Sequence, residues 1–421
     1  MAKRRRGHNE GTIDKRNGKP YRIRYTINDR RYCKAFTGTV AEAKEKIREL
    51  LHKGDTGQHI EPDKITVSAW IDQWIAAGAP RGHGKRRKPV GQRAVERYEQ
   101  LLNEHVKPAL GGTRLQQLQA TNIDALYDRL KIKVEAKDLS ARTAHHVHIV
   151  FNSCLGTAQR RKLISVNPMS AVERTPDPEA RQEDADSDEG TDTIGEGLSP
   201  DELKALITGF RQSPLYPVVA LAAATGARRG ELLALRWCDL SVESKTLRIE
   251  WALEQTKKHG IRRKRPKTKR GWRTIDIDDA TLEMLLDVRD KHLRIAAGIP
   301  DGVDVDLSLV KLPAEALIFP ATPAPGLDFS FTAWRNPRNF SKEFARRAGV
   351  IGFGATRFHD LRGIHGTALL DAGTPVHIVA QRIGDDPAVL LRNYVKRQRT
   401  KQAAENLAST ISGFVGSFLG K

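Results

Sequence analysis

Three patterns of apolar spacing divide the chain. Near its start Tyr21, Ile23, Tyr25 and Ile27 alternate with polar residues, the period of a half-buried strand. Asn17-Gly18 is a two-residue hairpin signal joining this run to one over 11–16. A polar turn at Asn28-Asp29 leads to a third run, Arg31 to Phe36. Thr39 and Glu42 have capping-box spacing ahead of a helix that carries Ile47, Leu50 and Leu51. Residues 1–53 are expected to form three strands and one helix. Arg22 and Arg24 then fall on the solvent face of the sheet.

From 65 to 172 the apolar period becomes helical. Trp70, Ile71 and Trp74, flanked by Ile65 and Ile75, mark one helix face. Tyr98, Leu101, Leu102, Val106 and Leu110 mark a second. Ile123, Leu126, Tyr127 and Leu130 mark a third, with Thr121 as the expected cap, and Val147, Val150, Phe151 and Leu155 a fourth. A new segment opens at Ser199-Pro200, an N-cap followed by proline in the first turn. An apolar helix from Val218 to Ala224 stops at Gly226, and another starts at Glu231. Leu247, Ile249, Trp251 and Leu253 alternate, as do Ile275 and Ile277, predicting a strand pair around a basic tip. Thr374-Pro375 is expected to cap the next helix and Gly384 to end it. Asp386-Pro387 opens another. Leu407, Ile411, Phe414, Val415 and Phe418 form a final apolar stripe. The fold class expected is multidomain, mainly α with small β elements.

Charge sharpens these divisions. The 421 residues carry 71 Lys and Arg against 51 Asp and Glu, a net +20. Between Asp177 and Glu196 nine acids face one base, so this stretch is −8 and the remainder +28. With few large apolar side chains it cannot bury enough surface to fold. The expected domains are 1–53, a helical domain over 65–172, an acidic linker over 173–197, and 198–421. A body this basic calls for an anionic partner, and nucleic acid is the first candidate. Arg22 and Arg24 on a narrow ribbon suit a major groove, although a small basic protein-binding module has the same pattern. The loop from Arg81 to Arg93, including Arg86, Arg87 and Lys88, holds six bases and no acid. Residues 261–273, including Arg265 and Lys269, hold eight bases.

Other classes are excluded. No run approaches the ~18 apolar residues of a membrane span. The basic start lacks the apolar run of a secretory signal, so a cytoplasmic location is expected. Three well-separated cysteines make neither a disulfide framework nor a Cys-only zinc site. His145, His146 and His148 lack matching Cys or carboxylate ligands, so no metal is expected.

Four local signals after residue 198 carry chemistry. Arg228 sits at the turn in Thr225-Gly226-Ala227-Arg228-Arg229-Gly230-Glu231, where helix-start amides also point outward. Lys267 lies in Pro266-Lys267-Thr268-Lys269, near the expected hairpin tip. His359 and Arg362, three apart in His359-Asp360-Leu361-Arg362, share one helix face, an imidazole beside a guanidinium fork that suits phosphate. Tyr394 ends a short helix and is followed by Lys396, Arg397, Arg399 and Lys401.

The order Arg228, Lys267, His359, Arg362, Tyr394, with Leu235-Arg236-Trp237-Cys238-Asp239-Leu240 and a ten-residue step from Gly384 to Tyr394, resembles the tyrosine recombinase (phage integrase) family. The resemblance implies an arm-type DNA-binding domain at 1–53, a core-binding domain at 65–172 and an α+β catalytic domain from 198. It implies a site-specific recombinase that needs no cofactor and acts on core and arm attachment sites. Tyr394 would be the nucleophile forming a 3′-phosphotyrosyl link. Arg228 and Arg362 would clamp the phosphate, Lys267 would protonate the leaving oxygen, and His359 would act as base or orient the tyrosine. Glu231 would hold Arg228. It further implies a bacterial host for a phage or mobile element, a tetramer on DNA through the C-terminal tail, and accessory bending or directionality factors. The family usually has His or Trp after the glycine at 384, where this chain has Asp385. An ionised carboxylate cannot donate to phosphate. That donor is then dispensable, or Arg382 or His365 supplies it. The same scaffold without catalysis, and type IB topoisomerase chemistry, are the alternatives.

Overall fold

The computed structural model describes residues 11–16, 19–27, 29–55, 63–80, 90–177, 198–266, 271–323, 326 and 328–391. The chain divides into two compact units, Met1–Asp184 and Ala185–Lys421.

The first unit holds two separate apolar clusters. In one, strands β1 (Thr12–Arg16), β2 (Lys19–Ile27) and β3 (Arg30–Phe36) form an antiparallel sheet in the order β1-β2-β3, packed against helix α1 (Val40–Asp55). Alternation decides the faces: Ile23, Tyr25 and Ile27 point into the cluster, and the exposed Arg24 pairs with Asp14 at 2.6 Å. The capping box at α1 has both its bonds. The Glu42 carboxylate accepts from the Thr39 amide at 2.8 Å, and Thr39 Oγ1 accepts from the Glu42 amide at 3.3 Å.

The second cluster is all helical. Helix α2 (Val67–Ala76) buries Trp70, Ile71 and Trp74, and each indole finds an acceptor as burial requires. Trp70 Nε1 donates to the Cys154 carbonyl and Trp74 Nε1 to Thr157 Oγ1, both at 3.2 Å. Helix α3 (Gln92–Leu101) runs through a π-helical turn at Leu102–Val106 into the short α4 (Lys107–Leu110). The wider turn accommodates Pro108, which has no N–H to give to a regular helix. Helix α5 (Ala120–Glu135) starts earlier than expected. Its cap is Gln119, whose amide donates to Asn122 Oδ1 at 3.0 Å, and Thr121 lies inside the helix. Helix α6 (Ala141–Arg160) supplies Val147, Val150, Phe151 and Leu155 to the core. Its three histidines diverge. His145 Nδ1 meets the Pro176 carbonyl at 2.8 Å, His146 packs edge-on against Tyr98, and His148 Nδ1 meets the Tyr127 hydroxyl at 2.7 Å. The contact with Pro176 ties the first residues of the expected linker, 173–177, to this helical module.

The second unit begins with α7 (Pro200–Gly209), capped by Ser199 and Glu202. Helices α8 (Tyr216–Thr225) and α9 (Arg229–Leu232) flank the turn at Gly226. Strands β4 (Leu240–Ser241) and β5 (Thr246–Ile249) join β8 (Arg273–Asp276) in an antiparallel sheet. Leu247 pairs with Ile275. The expected single strand over 247–253 breaks after Ile249. Leu253 belongs to β6 (Ala252–Thr256), which pairs with β7 (Gly260–Lys264) in a separate hairpin. Residues 261–264 are therefore paired strand, entered from a turn at 257–259 through Gly260, φ 62°, rather than part of a long basic tip.

Four helices frame the rest. Helix α10 (Asp279–Ala297), capped by Asp278, and α11 (Pro337–Val350), capped by Asn336, were not apparent from the pattern. Helix α12 (Asp360–Asp371) sends Leu361 and Ile364 into the main core, and α13 (Val376–Ile383) ends at Gly384, φ 72°. Thr374 makes no side-chain cap there, and Pro375 itself is the N-cap. Phe344 lies between Phe210 and Phe358, with ring centroids 5.2 and 5.3 Å away.

Phe151→Ala leaves a cavity in the helical core worth about 3–5 kcal/mol. Amide exchange in α2 and α6 should lose ~100-fold or more of its protection, while α12 is unaffected. Unchanged protection in α6 would count against this packing.

Candidate active site

The turn between α8 and α9 exists because Gly226 takes the left-handed conformation, φ 63°. A Cβ there would also stand 2.8 Å from His365 Cδ2. Thr225 steadies the turn: its hydroxyl donates to the Leu221 carbonyl at 2.6 Å and accepts from the Ala227 amide at 3.3 Å. Arg228 follows as the N-cap of α9. Glu231, one turn on, is 3% exposed, and its carboxylate accepts from the Arg228 amide at 2.9 Å and from Arg228 Nη1 at 3.2 Å. Arg273 on β8 completes its surroundings, with Nη2 and Nη1 at 2.8 and 3.2 Å from the two oxygens. Burial alone would raise the Glu231 carboxyl. Hydrogen bonding and charge from Arg273, with Arg228 beside it, outweigh burial and hold it below the ordinary carboxylate value.

Arg362 approaches from α12. Its side chain is 4% exposed, and Nη1 donates to the Gly226 carbonyl at 2.9 Å and the Ile383 carbonyl at 2.6 Å. Burial first, and the neighbouring Arg228 second, lower its pKa. Guanidinium stays charged nonetheless. Arg228 Nη2 donates to the Gly384 carbonyl at 3.1 Å. Between the two arginines lies Asp385. One carboxylate oxygen accepts from Arg362 Nη2 at 3.0 Å, and the other is 3.5 Å from Arg228 Nη2. Two guanidinium groups thus converge on one two-oxygen anion, the geometry a phosphodiester also offers.

Arg228, Glu231, Arg362 and Asp385 are therefore brought together. His359 is half-buried at the N-cap of α12, one turn before Arg362, and its carbonyl accepts from the Arg362 amide at 3.2 Å. Lys267, Tyr394, Arg86, Arg87, Lys88 and Lys269 lie outside the described residues. Arg22 and Arg24 belong to the first unit. Arg265 is stacked between Trp251 and Trp272, 5.0 and 4.9 Å from the ring centroids. The suggested substitutes for Asp385 are engaged with one another. Arg382 Nε donates to His365 Nε2 at 3.1 Å, which leaves His365 Nδ1 to donate to the Ala223 carbonyl at 2.9 Å. Burial, with Arg382 adding its charge, lowers His365 to about 4, so the ring is neutral at pH 7. Among the described residues no group of three His, Cys, Asp or Glu side chains could hold a metal ion, and no helix is long and apolar enough to cross a membrane.

Arg273 escaped the sequence reading. Its signal is alternation: Arg273, Ile275 and Ile277 are buried while Thr274 and Asp276 are exposed.

Residues 196–400 match the phage integrase family. A tyrosine recombinase XerC-like protein of Caldanaerobacter subterraneus subsp. tengcongensis is 25% identical over 404 residues, covering 92% of this chain and 95% of the relative. The structure of the Tn1549 transposon integrase in complex with a circular intermediate DNA superposes with a TM-score of 0.58 at 17% identity, over 82% of this chain and 99% of that one. A lambda integrase tetramer bound to a Holliday junction gives 0.52 at 15% identity, over 94% and 98%.

Glu231→Gln should remove about 3 kcal/mol at pH 7, because Arg273 and Arg228 lose their anion. The carboxylate is depressed in the fold, so its contribution is complete above its unfolded value and fades as pH falls through the folded one. Chemical denaturation from pH 7 to 3 should show a constant deficit that narrows only in acid. A deficit that persists undiminished to pH 3 would mean that Glu231 acts through packing.

Proposed function

The chain belongs to the phage integrase family, the tyrosine recombinases, and on that premise we propose that it cuts and rejoins double-stranded DNA at specific sites through a 3′-phosphotyrosyl intermediate, integrating or excising a mobile element. The observation that carries this is the convergence of Arg228 and Arg362 on one anion position, with His359 at the start of the helix that bears Arg362.

The Tyr394 hydroxyl attacks the scissile phosphorus. The bond from phosphorus to the 5′-oxygen breaks, and Lys267 passes a proton to that oxygen. His359 takes the tyrosine proton or orients the ring. Arg228 and Arg362 bind the non-bridging oxygens as charge gathers on them, and Glu231 keeps Arg228 in place. The phosphotyrosyl bond conserves the energy of the broken ester, so a 5′-hydroxyl can reverse the step without ATP. Positioning and charge supply the catalysis.

DNA is the partner, with residues 65–172 on core sites and 1–53 on arm sites. Four protomers assemble on two duplexes, each C-terminal tail docking on a neighbour, with accessory bending or directionality factors. The setting is the cytoplasm of a bacterial host. A non-catalytic DNA-binding role is the second reading, and Asp385 in the clamp is the observation that favours it.

The deciding experiment is incubation with nicked suicide DNA carrying candidate attachment sites. Wild type should accumulate a covalent protein–DNA adduct. Tyr394→Phe should form none while binding DNA normally. An adduct from the Phe protein excludes Tyr394 as nucleophile. Binding without any wild-type adduct favours the non-catalytic reading.

Removal of residues 1–53 should leave the core footprint and abolish protection of a second, distant class of sites. Footprints identical to those of the full chain would refute an arm-binding role.

A further inference from the structure

Asp385 stands where the recombinase reading has no use for a carboxylate, and its contacts are specific. Each of its oxygens meets a different guanidinium, at Nη2 of Arg362 and Nη2 of Arg228. Elsewhere the two arginines are engaged by fixed groups: Arg362 Nη1 by the Gly226 and Ile383 carbonyls, Arg228 Nη1 by Glu231. We infer that Asp385 is a positioning residue acting as a built-in counter-anion, spanning the two arginines in the DNA-free chain where a phosphodiester places its non-bridging oxygens, so that DNA must displace it before cleavage. The inference rests on the reading of this site as a phosphodiester clamp.

Charge supports it. Arg228, Arg273 and Arg362 face Glu231 and Asp385, leaving one net positive charge. A carboxylate within the clamp repels an entering phosphate, and moving it out doubles the charge the phosphate meets. Exposure supports it as well. Glu231, Arg273 and Arg362 are sealed, but Arg228 is 37% and Asp385 17% exposed. The Asp385 backbone is held, its amide donating to the Ala380 carbonyl at 2.9 Å, and it lies in the non-helical step between α13 and the helical turn at 387–391. Arg382 Nε donates to His365 Nε2, and neither side chain is anionic, so neither can take over the counter-anion role of Asp385.

Two measurements test this. In the first, inorganic phosphate is titrated against the full chain and binding is read by thermal shift. Asp385→Asn should bind phosphate ~10-fold more tightly than wild type. Adding Arg228→Ala should cancel the gain, and Asp385→Glu should restore weak binding. Asp385→Ser serves in place of Asn if that variant is unfolded by circular dichroism. In the second, adduct formation on saturating nicked DNA should be ~10-fold faster for Asp385→Asn. Phosphate affinity that is unchanged or weaker overturns the inference. So does slower adduct formation by a folded variant, because Asp385 would then orient the arginines in the reacting complex. If wild type forms no adduct but the phosphate gain appears and depends on Arg228, the counter-anion stands and the recombinase reading falls.

Discussion

A carboxylate closed off from water costs several kcal/mol unless donors surround it, and Glu231 meets that condition with two arginines and a backbone amide. The arrangement fixes more than itself. Arg273 reaches Glu231 from β8, and its Nε continues to the Arg382 carbonyl at 2.7 Å near the end of α13. Arg228 reaches it from the turn after α8 and continues to the Gly384 carbonyl. A strand, a helix start and a helix end, far apart in sequence, are thereby locked to one buried charge. Without that charge, three guanidinium groups in a small volume would repel one another. With it, they hold one geometry before any ligand arrives, and little reorganisation remains for the reaction itself.

The carbonyls around Arg362 depend on two glycines. Gly226 and Gly384 both take positive φ, 63° and 72°, and each turns the chain so that backbone oxygens face the arginines. Gly226 has the further constraint of the His365 ring, too near for a Cβ. His365 is in turn kept neutral by burial and tied between Arg382 and the Ala223 carbonyl. The polar cluster is thus braced by a second set of hydrogen bonds, from His365 and Arg382 to the end of α8. Such support keeps a clamp from collapsing into solvent-filled alternatives.

How much of this could be read in the sequence depends on the range of the interaction. Local rules worked where the deciding contact is local. The capping box at Thr39 and Glu42, the cap at Ser199 and the end of α8 at Gly226 needed only a few neighbouring residues. The apolar stripes of the helical module were legible for the same reason. The boundary of β5 was not, because Trp251 and Leu253 continue the alternation of Leu247 and Ile249 across a break that only strand pairing reveals. Within the site, Arg228, Glu231, His359, Arg362 and the odd Asp385 stood out through family resemblance. Arg273 was lost among eight bases, although its alternation with Ile275 and Ile277 placed it inward. That Asp385 bridges two arginines follows from a contact between residues far apart in sequence, which no local pattern encodes.

The same distinction changes what a basic sequence means. At the β6–β7 hairpin, Arg262 and Lys264 both pair with Glu254, at 2.8 and 2.7 Å. Arg263 pairs with Glu315 at 3.0 Å and lies over Trp251. Arg265 is held between two indoles. Four bases that add fully to the formal charge are committed within the protein, where they stiffen the strands leading toward residue 267. Gly271 lies against Pro266 so closely that a side chain at 271 would not fit there. Formal charge therefore overstates the positive charge this hairpin offers to an outside partner, because these side chains are already engaged by Glu254, Glu315 and the two indoles.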